Sequence, residues 1–212
     1  MAARPLAIFG GTFDPVHIGH LSVAWEASEL LDADVHLMPA SVPPHRPPPT
    51  ASADQRVAML SAALQGQSRL ILDSRELQRS GPSYTIDTLI ELRAEQGDRP
   101  LVLLIGADAF AGLPSWDRWL EIFDVAHIGV LSRPGIDATL PDALLQFIND
   151  RRVESAAEWH GTPAGKVIEL TVTPLEISAT RIRELLAAGR DPRYLLPAGL
   201  FDDAQLLAPY RS

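Results

Sequence analysis

The 212-residue chain contains no cysteine and a single lysine, Lys166. Without cysteine there can be no disulfide, no thiolate metal site and no thiol nucleophile. With one lysine, any Schiff base, lysine general base or phosphate-binding lysine would have to be Lys166. Positive charge is scarce overall: 18 Lys and Arg face 27 Asp and Glu, for a formal net charge of −9. That balance argues against a nucleic-acid binder that tracks phosphates with a basic face. Long hydrophobic runs are also missing. The apolar opening at residues 5–13 is too short to span a bilayer and lacks a small-residue cleavage site, and other runs, such as 101–105, are strand-sized. We therefore expect a cytoplasmic protein with no membrane partner. Its 46 % hydrophobic and 21 % charged residues read as soluble and globular. The length suits one domain over residues 1–212, with 178–212 as a C-terminal helical lobe.

Six short aliphatic and β-branched runs recur at residues 6–9, 35–38, 70–72, 101–105, 125–131 and 167–172. Several are apolar throughout, as parallel strands covered on both faces are. Between them, residues 18–31, 53–64 and 84–95 are predicted helices. In the last, Ile86, Leu89, Ile90 and Leu92 form the apolar face, with Glu91, Arg93 and Glu95 outside. This alternation predicts an α/β, Rossmann-like doubly wound fold with a mainly parallel sheet and a small C-terminal helical portion. Ligands of such sheets bind beyond the carboxyl ends of the strands. Six of the 18 prolines fall in residues 39–49, where Pro43, Pro44, Pro47, Pro48 and Pro49 bracket His45 and Arg46. This stretch is a stiffened loop, by composition a polyproline spacer and by its position after a strand also a candidate lid or substrate loop.

The most informative stretch is Gly10-Gly11-Thr12-Phe13-Asp14-Pro15-Val16-His17-Ile18-Gly19-His20. It follows the first strand and opens a helix, where free N–H groups and the helix dipole attract anions. Its two glycines let main chain approach a ligand closely, and Gly19 removes a side chain that would crowd a nucleotide. His17 and His20, three apart, project from one side of a helical turn. They read either as a capped, partly buried pair or as phosphate ligands; zinc would need a third ligand that is not evident. Phosphate binding accounts for the glycines, the helix start and both imidazoles together. A second helix start, Ile177-Ser178-Ala179-Thr180-Arg181-Ile182-Arg183, follows the last strand, with Ser178 as N-cap and Thr180 and Arg183 near its positive end. By contrast, Gly161-Thr162-Pro163-Ala164-Gly165-Lys166-Val167 is not a P-loop: its glycines are one residue too close, Val167 replaces the Ser/Thr, and a strand follows.

Together, the His17-Ile18-Gly19-His20 turn and the Ser178–Arg183 helix start resemble the nucleotidylyltransferase superfamily, which pairs a (H/T)-x-G-H turn with an I-S-S-T-x-I-R-like helix start. Within it the chain resembles the bacterial nicotinate-nucleotide adenylyltransferases. That likeness rests on residues 10–20, Pro43-Pro44-His45, Gly81-Pro82-Ser83-Tyr84-Thr85-Ile86-Asp87-Thr88-Leu89, Ile105-Gly106-Ala107-Asp108, Trp116 and Arg133-Pro134-Gly135. Two departures stand out. Ala179 replaces the usual hydroxyl, and Arg46 stands where a Lys often follows Pro-Pro-His.

The resemblance implies adenylyl transfer from ATP to nicotinate mononucleotide in NAD biosynthesis, giving nicotinate adenine dinucleotide and pyrophosphate. Mg²⁺ is then expected on the substrate phosphates rather than in a protein cage, with Asp14 organising the turn. His20 is the expected stabiliser of the α-phosphate, with His17 on the neighbouring phosphates and Arg183, Thr180 and Ser178 on the departing pyrophosphate. Gly10, Gly11 and Thr12 would contact ATP through main-chain groups. On the acceptor side, the helix start at Tyr84 and Thr85 would bind the carboxylate and Trp116 would stack on the ring, with Tyr84 or Trp119 as other stacking choices. Trp119 also reads as core. Asp108 would bind ribose hydroxyls, or else cap the next helix, and His45 and Arg46 would approach from the proline loop. Competing readings are a related adenylyltransferase acting on nicotinamide mononucleotide or phosphopantetheine, and a non-catalytic nucleotide sensor. The His-Ile-Gly-His string also occurs in class I aminoacyl-tRNA synthetases, but 212 residues leave no room for a usual tRNA-binding domain.

Overall fold

A computed structural model describes residues 4–41, 48–79, 83–132, 139–159 and 161–211. In chain order the elements are β1 (Leu6–Gly11), α1 (Ile18–Leu31), β2 (Asp34–Pro39), α2 (Ala53–Ala63), β3 (Leu70–Leu72), α3 (Thr85–Gln96), β4 (Leu101–Gly106), α4 (Ala107–Ala111), α5 (Ile122–Val125), β5 (His127–Ser132), α6 (Asp142–Ile148), β6 (Arg152–Val153), β7 (Val167–Thr171) and α7 (Ala179–Ala187). The strands form one sheet in the order β3-β2-β1-β4-β5-β7-β6. The β1/β4, β4/β5, β5/β7 and β6/β7 pairs are parallel. Apart from the short edge strand β6, this order runs outward from β1 in both directions, that of a doubly wound α/β fold, with the first crossover turn at the point of reversal. Among the described residues no helix is long and apolar enough to cross a membrane.

The chain divides into two compact units. One comprises Met1–Phe9, Glu26–His36 and Tyr84–Thr173. Its β4 is buried from Leu101 to Ile105 and β5 from His127 to Leu131, as expected of central strands covered on both faces. Residue 125 belongs to α5, not to the strand: Ala126 N–H closes that short helix on Ile122 O, and β5 begins at His127. In α3 the buried arc runs from Ile86 through Leu89 and Leu92 to Thr88, which leaves Ile90 just past its edge and 42 % exposed. Arg93 is not outside either. Its guanidinium donates to the carbonyls of Arg99, Val125 and Pro163, tying α3 to the end of α5 and to the loops before β4 and β7. Strand β6, two residues at the sheet edge, is too short to carry a readable period. The glycine-flanked loop before β7 has a structural cause. Buried His127 accepts Lys166 N–H at Nδ1 (3.1 Å), pairs through Nε2 with Thr162 O (3.0 Å) and stacks on Trp159. Burial lowers its pKa to about 4, so the ring is neutral at pH 7 and donates from Nε2.

The other unit comprises Gly10–Trp25, Leu37–Ser83 and Pro174–Ser212. Here α2 starts in a capping box: Ser52 Oγ accepts Gln55 N–H and Gln55 Oε1 accepts Ser52 N–H. Helix α7 starts on Ser178, whose Oγ accepts Arg181 N–H at 3.2 Å, as the N-cap reading requires. The segment after residue 187 is less helical than expected. It holds 3-10 turns at Ala198–Phe201 and Ala208–Tyr210, because Pro192, Pro197 and Pro209 each remove a donor that a continuous helix needs.

Candidate active site

The turn between β1 and α1 is built around two aromatic groups. Phe13, at a left-handed φ of 51°, folds its ring under Gly11, where an added Cβ would lie 2.9 Å from Cζ. The same ring meets His20 edge-on, with centroids 5.0 Å apart. His17 and His20 then stack at 3.6 Å and 22°. Each main-chain N–H donates to the other's Nδ1 at 3.3 Å, a reciprocal lock that leaves the proton of each neutral ring on Nε2. Burial lowers the pKa of His17 to about 4; burial, then the charge of His17, lowers that of His20 to about 3. At neutral pH the pair is therefore two uncharged N–H donors. Gly19 has an internal reason: a Cβ there would come within 3.1 Å of His17 Nδ1, so the side chain it makes room for is the histidine itself. A Cβ at Gly10 would meet nothing within 4 Å, which leaves main chain open at the end of β1.

Asp14 organises this turn. Its buried carboxylate accepts Thr50 N–H on Oδ2 (2.7 Å), and Ala51 N–H (2.9 Å) and Tyr210 O–H (2.8 Å) on Oδ1. Its main-chain oxygen accepts Nη1 of Arg183 at 2.7 Å, and Nη2 of the same guanidinium lies 3.3 Å from Thr180 Oγ1. The first turn of α7 is thereby tied to the β1–α1 turn. Beneath lies Arg56, only 2 % exposed, whose Nη1 donates to Thr12 O and Ala40 O, both at 2.8 Å. Desolvation by burial lowers its pKa, opposed by the charges of Asp14 and Tyr210. Arg56 and Tyr210 escaped the sequence reading. For Arg56 a signal was present: it sits on the inward stripe of α2 with Met59 and Leu60, at i, i+3 and i+4. Tyr210, far along the chain from Asp14, carried none.

Of the predicted site residues, this unit brings Gly10, Gly11, Thr12, His17, His20, Ser178, Thr180 and Arg183 into one connected arrangement. The remaining described ones lie in the other unit. There Tyr84 is the exposed N-cap of α3, its own side chain making no capping hydrogen bond among the described residues, and Thr85 is its first residue. Asp108 is exposed in the first turn of α4, and Trp116 is half-buried just after the 3-10 turn Leu113–Ser115. Trp119, half-buried, packs edge-on against Phe147 (5.2 Å) and Phe123 (6.3 Å). A residue overlooked in the sequence, Arg118, joins these pieces. At a left-handed φ of 46°, it pairs with Asp87 in the first turn of α3 and with Asp117 and Glu121 on its own loop. His45 and Arg46 lie outside the described residues. Among those described, no group of three or more His, Asp or Glu is placed to hold a metal ion.

The profile of the cytidylyltransferase-like family matches residues 8–185. A protein of Aeromonas hydrophila subsp. hydrophila named probable nicotinate-nucleotide adenylyltransferase is 47 % identical over 198 residues, covering 93 % of this chain and 92 % of its own. One of the same name from Marinobacter nauticus is 50 % identical over 192 residues, covering 90 % and 89 %. In structure the chain is similar to Plasmodium falciparum nicotinic acid mononucleotide adenylyltransferase complexed with NaAD. The TM-score is 0.71 at 16 % identity, with 98 % of this chain and 96 % of that one covered, a likeness of fold.

Proposed function

The chain belongs to the cytidylyltransferase-like family, in its nicotinate-nucleotide adenylyltransferase group, and from that footing we propose that it transfers the adenylyl group of ATP to nicotinate mononucleotide in NAD biosynthesis. The acceptor's phosphate oxygen forms a bond to the α-phosphorus of ATP while the bond from that phosphorus to the bridging oxygen of the β-phosphate breaks. The products are nicotinate adenine dinucleotide and pyrophosphate. The nucleophile is already ionised near neutrality, so no general base and no covalent intermediate are required. The obstacle is repulsion: at about 5 Å and an effective dielectric of about 20, each pair of unit negative charges costs about 3 kcal/mol. Catalysis is then positioning and charge stabilisation.

The observation that carries this reading is the reciprocally locked His17–His20 pair on the turn whose Asp14 O holds the Arg183 guanidinium. His20 donates Nε2–H to the α-phosphate as charge builds there, and His17 serves the adjoining phosphates. Because both rings are neutral and held by main chain, they stabilise new negative charge without first having to reorganise. Arg183, Thr180 and the start of α7 at Ser178 hold the leaving pyrophosphate, while Gly10, Gly11 and Thr12 present main chain to ATP. Mg²⁺ on the phosphates supplies further neutralisation. Asp14 fits the role of organiser rather than metal ligand, since three donors already occupy its two oxygens. The uncapped start of α3 at Tyr84 and Thr85 suits a carboxylate and disfavours an amide in its place. Trp116 stacks on the pyridine, Asp108 takes ribose hydroxyls, and His45 and Arg46 contribute from the proline loop. The test is product identification: with ATP, Mg²⁺ and nicotinate mononucleotide, chromatography should find dinucleotide and pyrophosphate in equal amounts. Release of AMP without dinucleotide would refute adenylyl transfer.

A further inference from the structure

Arg183 lies beside a buried carboxylate without bonding to it. Its Nη1 is 2.7 Å from the main-chain oxygen of Asp14 but 3.7 Å from Oδ2 of the same residue. A guanidinium so close to a carboxylate that water scarcely reaches ordinarily closes into a short, charge-assisted pair. Here the carboxylate is held by three other donors, the N–H groups of Thr50 and Ala51 and the hydroxyl of Tyr210. The first two are main chain. The third is a side chain, 3 % exposed, from a part of the chain to which the transfer reaction assigns no role. We propose that Tyr210 is a positioning residue for the adenylyl transfer: by donating to Asp14 Oδ1 it fixes the carboxylate's orientation, so that Oδ2 stays 3.7 Å from Arg183 and the guanidinium is left to the polyphosphate.

The inference rests on the reading of Arg183 as a phosphate-binding group. The groups that act on this phenol are Asp14, Arg183 and Arg56, and burial together with Asp14 raises its pKa, so it stays a donor throughout the working range. Removing the hydroxyl leaves Asp14 Oδ1 with one donor fewer in a nearly dry site. With Oδ1 released the carboxylate can turn so that Oδ2, already 3.7 Å from Nη1, closes on Arg183, and each hydrogen bond that guanidinium gives to Asp14 competes with one to phosphate.

Tyr210→Phe keeps the ring and its packing and removes only the donor. A lost hydrogen bond to a charged group corresponds to roughly ten-fold in kcat/KM for ATP, and the KM for nicotinate mononucleotide should move less than about two-fold. The decisive comparison is the double variant. If Tyr210 acts through Arg183, Tyr210→Phe adds almost nothing in an Arg183→Ala background, whereas independent effects would multiply. A lowered melting temperature with unchanged ATP kinetics would make Tyr210 a purely structural anchor and overturn the proposal. So would equal losses for both substrates, or multiplying losses in the double variant. Should Arg183→Ala alone leave ATP kinetics intact, the assignment of Arg183 is what fails, and the proposal falls with it, while dinucleotide formation by the unaltered chain stands as a separate result.

Discussion

The two groups of candidate residues are built on opposite principles. Around Asp14, the groups are bonded to main chain, with Asp14, His17 and Arg56 buried and His20 and Arg183 half-buried: the histidines lock onto each other's N–H groups, Arg56 fans onto carbonyls, and Asp14 is satisfied by three donors. Around Trp116, the side chains are half-exposed or exposed, and their links are ion pairs of Arg118 with Asp87, Asp117 and Glu121. The first arrangement suits stabilising charge that appears during reaction, which demands donors already in place. The second suits selecting a partner, where exposed contacts tune affinity. On the proposed assignment, an acidic chain with one lysine handles two polyanions through local attraction, from neutral N–H donors, helix starts and single arginines rather than from net charge.

The sharpest way to break this contrast is His20→Asn, which keeps a side-chain acceptor for His17 N–H but removes Nε2–H. Turnover should fall by roughly two to three orders of magnitude, as for loss of an oxyanion-type donor, with the melting temperature little changed. An unaltered kcat would remove His20 from the chemistry.

Acid should also act on the buried histidines of both units. His17 and His127 titrate near 4 and His20 near 3 in the folded chain, against about 6.5 when unfolded. Between those values the unfolded state binds more protons, so stability is full above pH 6.5 and is lost as pH falls towards 4. Urea midpoints at pH 7 and pH 4.5 should differ clearly, and a flat profile would deny that the rings are buried and neutral.

On the acceptor side the effects should be smaller and selective. Trp116→Ala should raise the KM for nicotinate mononucleotide about ten-fold and leave that for ATP nearly unchanged, given the usual worth of aromatic stacking plus lost contact. Equal losses for both substrates would contradict the stacking role. Arg118→Ala should raise the acceptor KM by only a few-fold with little change in melting temperature, since exposed ion pairs hold geometry more than they stabilise a fold. A large drop in melting temperature would place Arg118 in the core economy of its unit instead.

What was legible in the sequence follows the same division. The runs at 6–9, 35–38, 70–72 and 101–105 lie within β1 to β4, and α1 matches residues 18–31, because apolar strands and a clean helical period are local signals. The glycines and histidines of the first turn were legible for the same reason, though Gly11 and Gly19 turn out to serve Phe13 and His17 inside the chain. Ile90 and Arg93 were misassigned because their burial depends on which arc of α3 meets its neighbours, something periodicity leaves open by one position. Tyr210 and Arg118 were missed for a stronger reason. Their importance lies in partners 196 and 31 residues away, Asp14 and Asp87, and no local pattern encodes such pairing.

The central claim, transfer to a phosphate acceptor carrying a pyridine carboxylate, is tested most directly by initial rates of pyrophosphate release with ATP and Mg²⁺. The acceptors to compare are nicotinate mononucleotide, nicotinamide mononucleotide and phosphopantetheine. The account predicts the highest kcat/KM for nicotinate mononucleotide, a marked loss with the amide and negligible turnover of phosphopantetheine. Equal rates for acid and amide, or preference for phosphopantetheine, would contradict it.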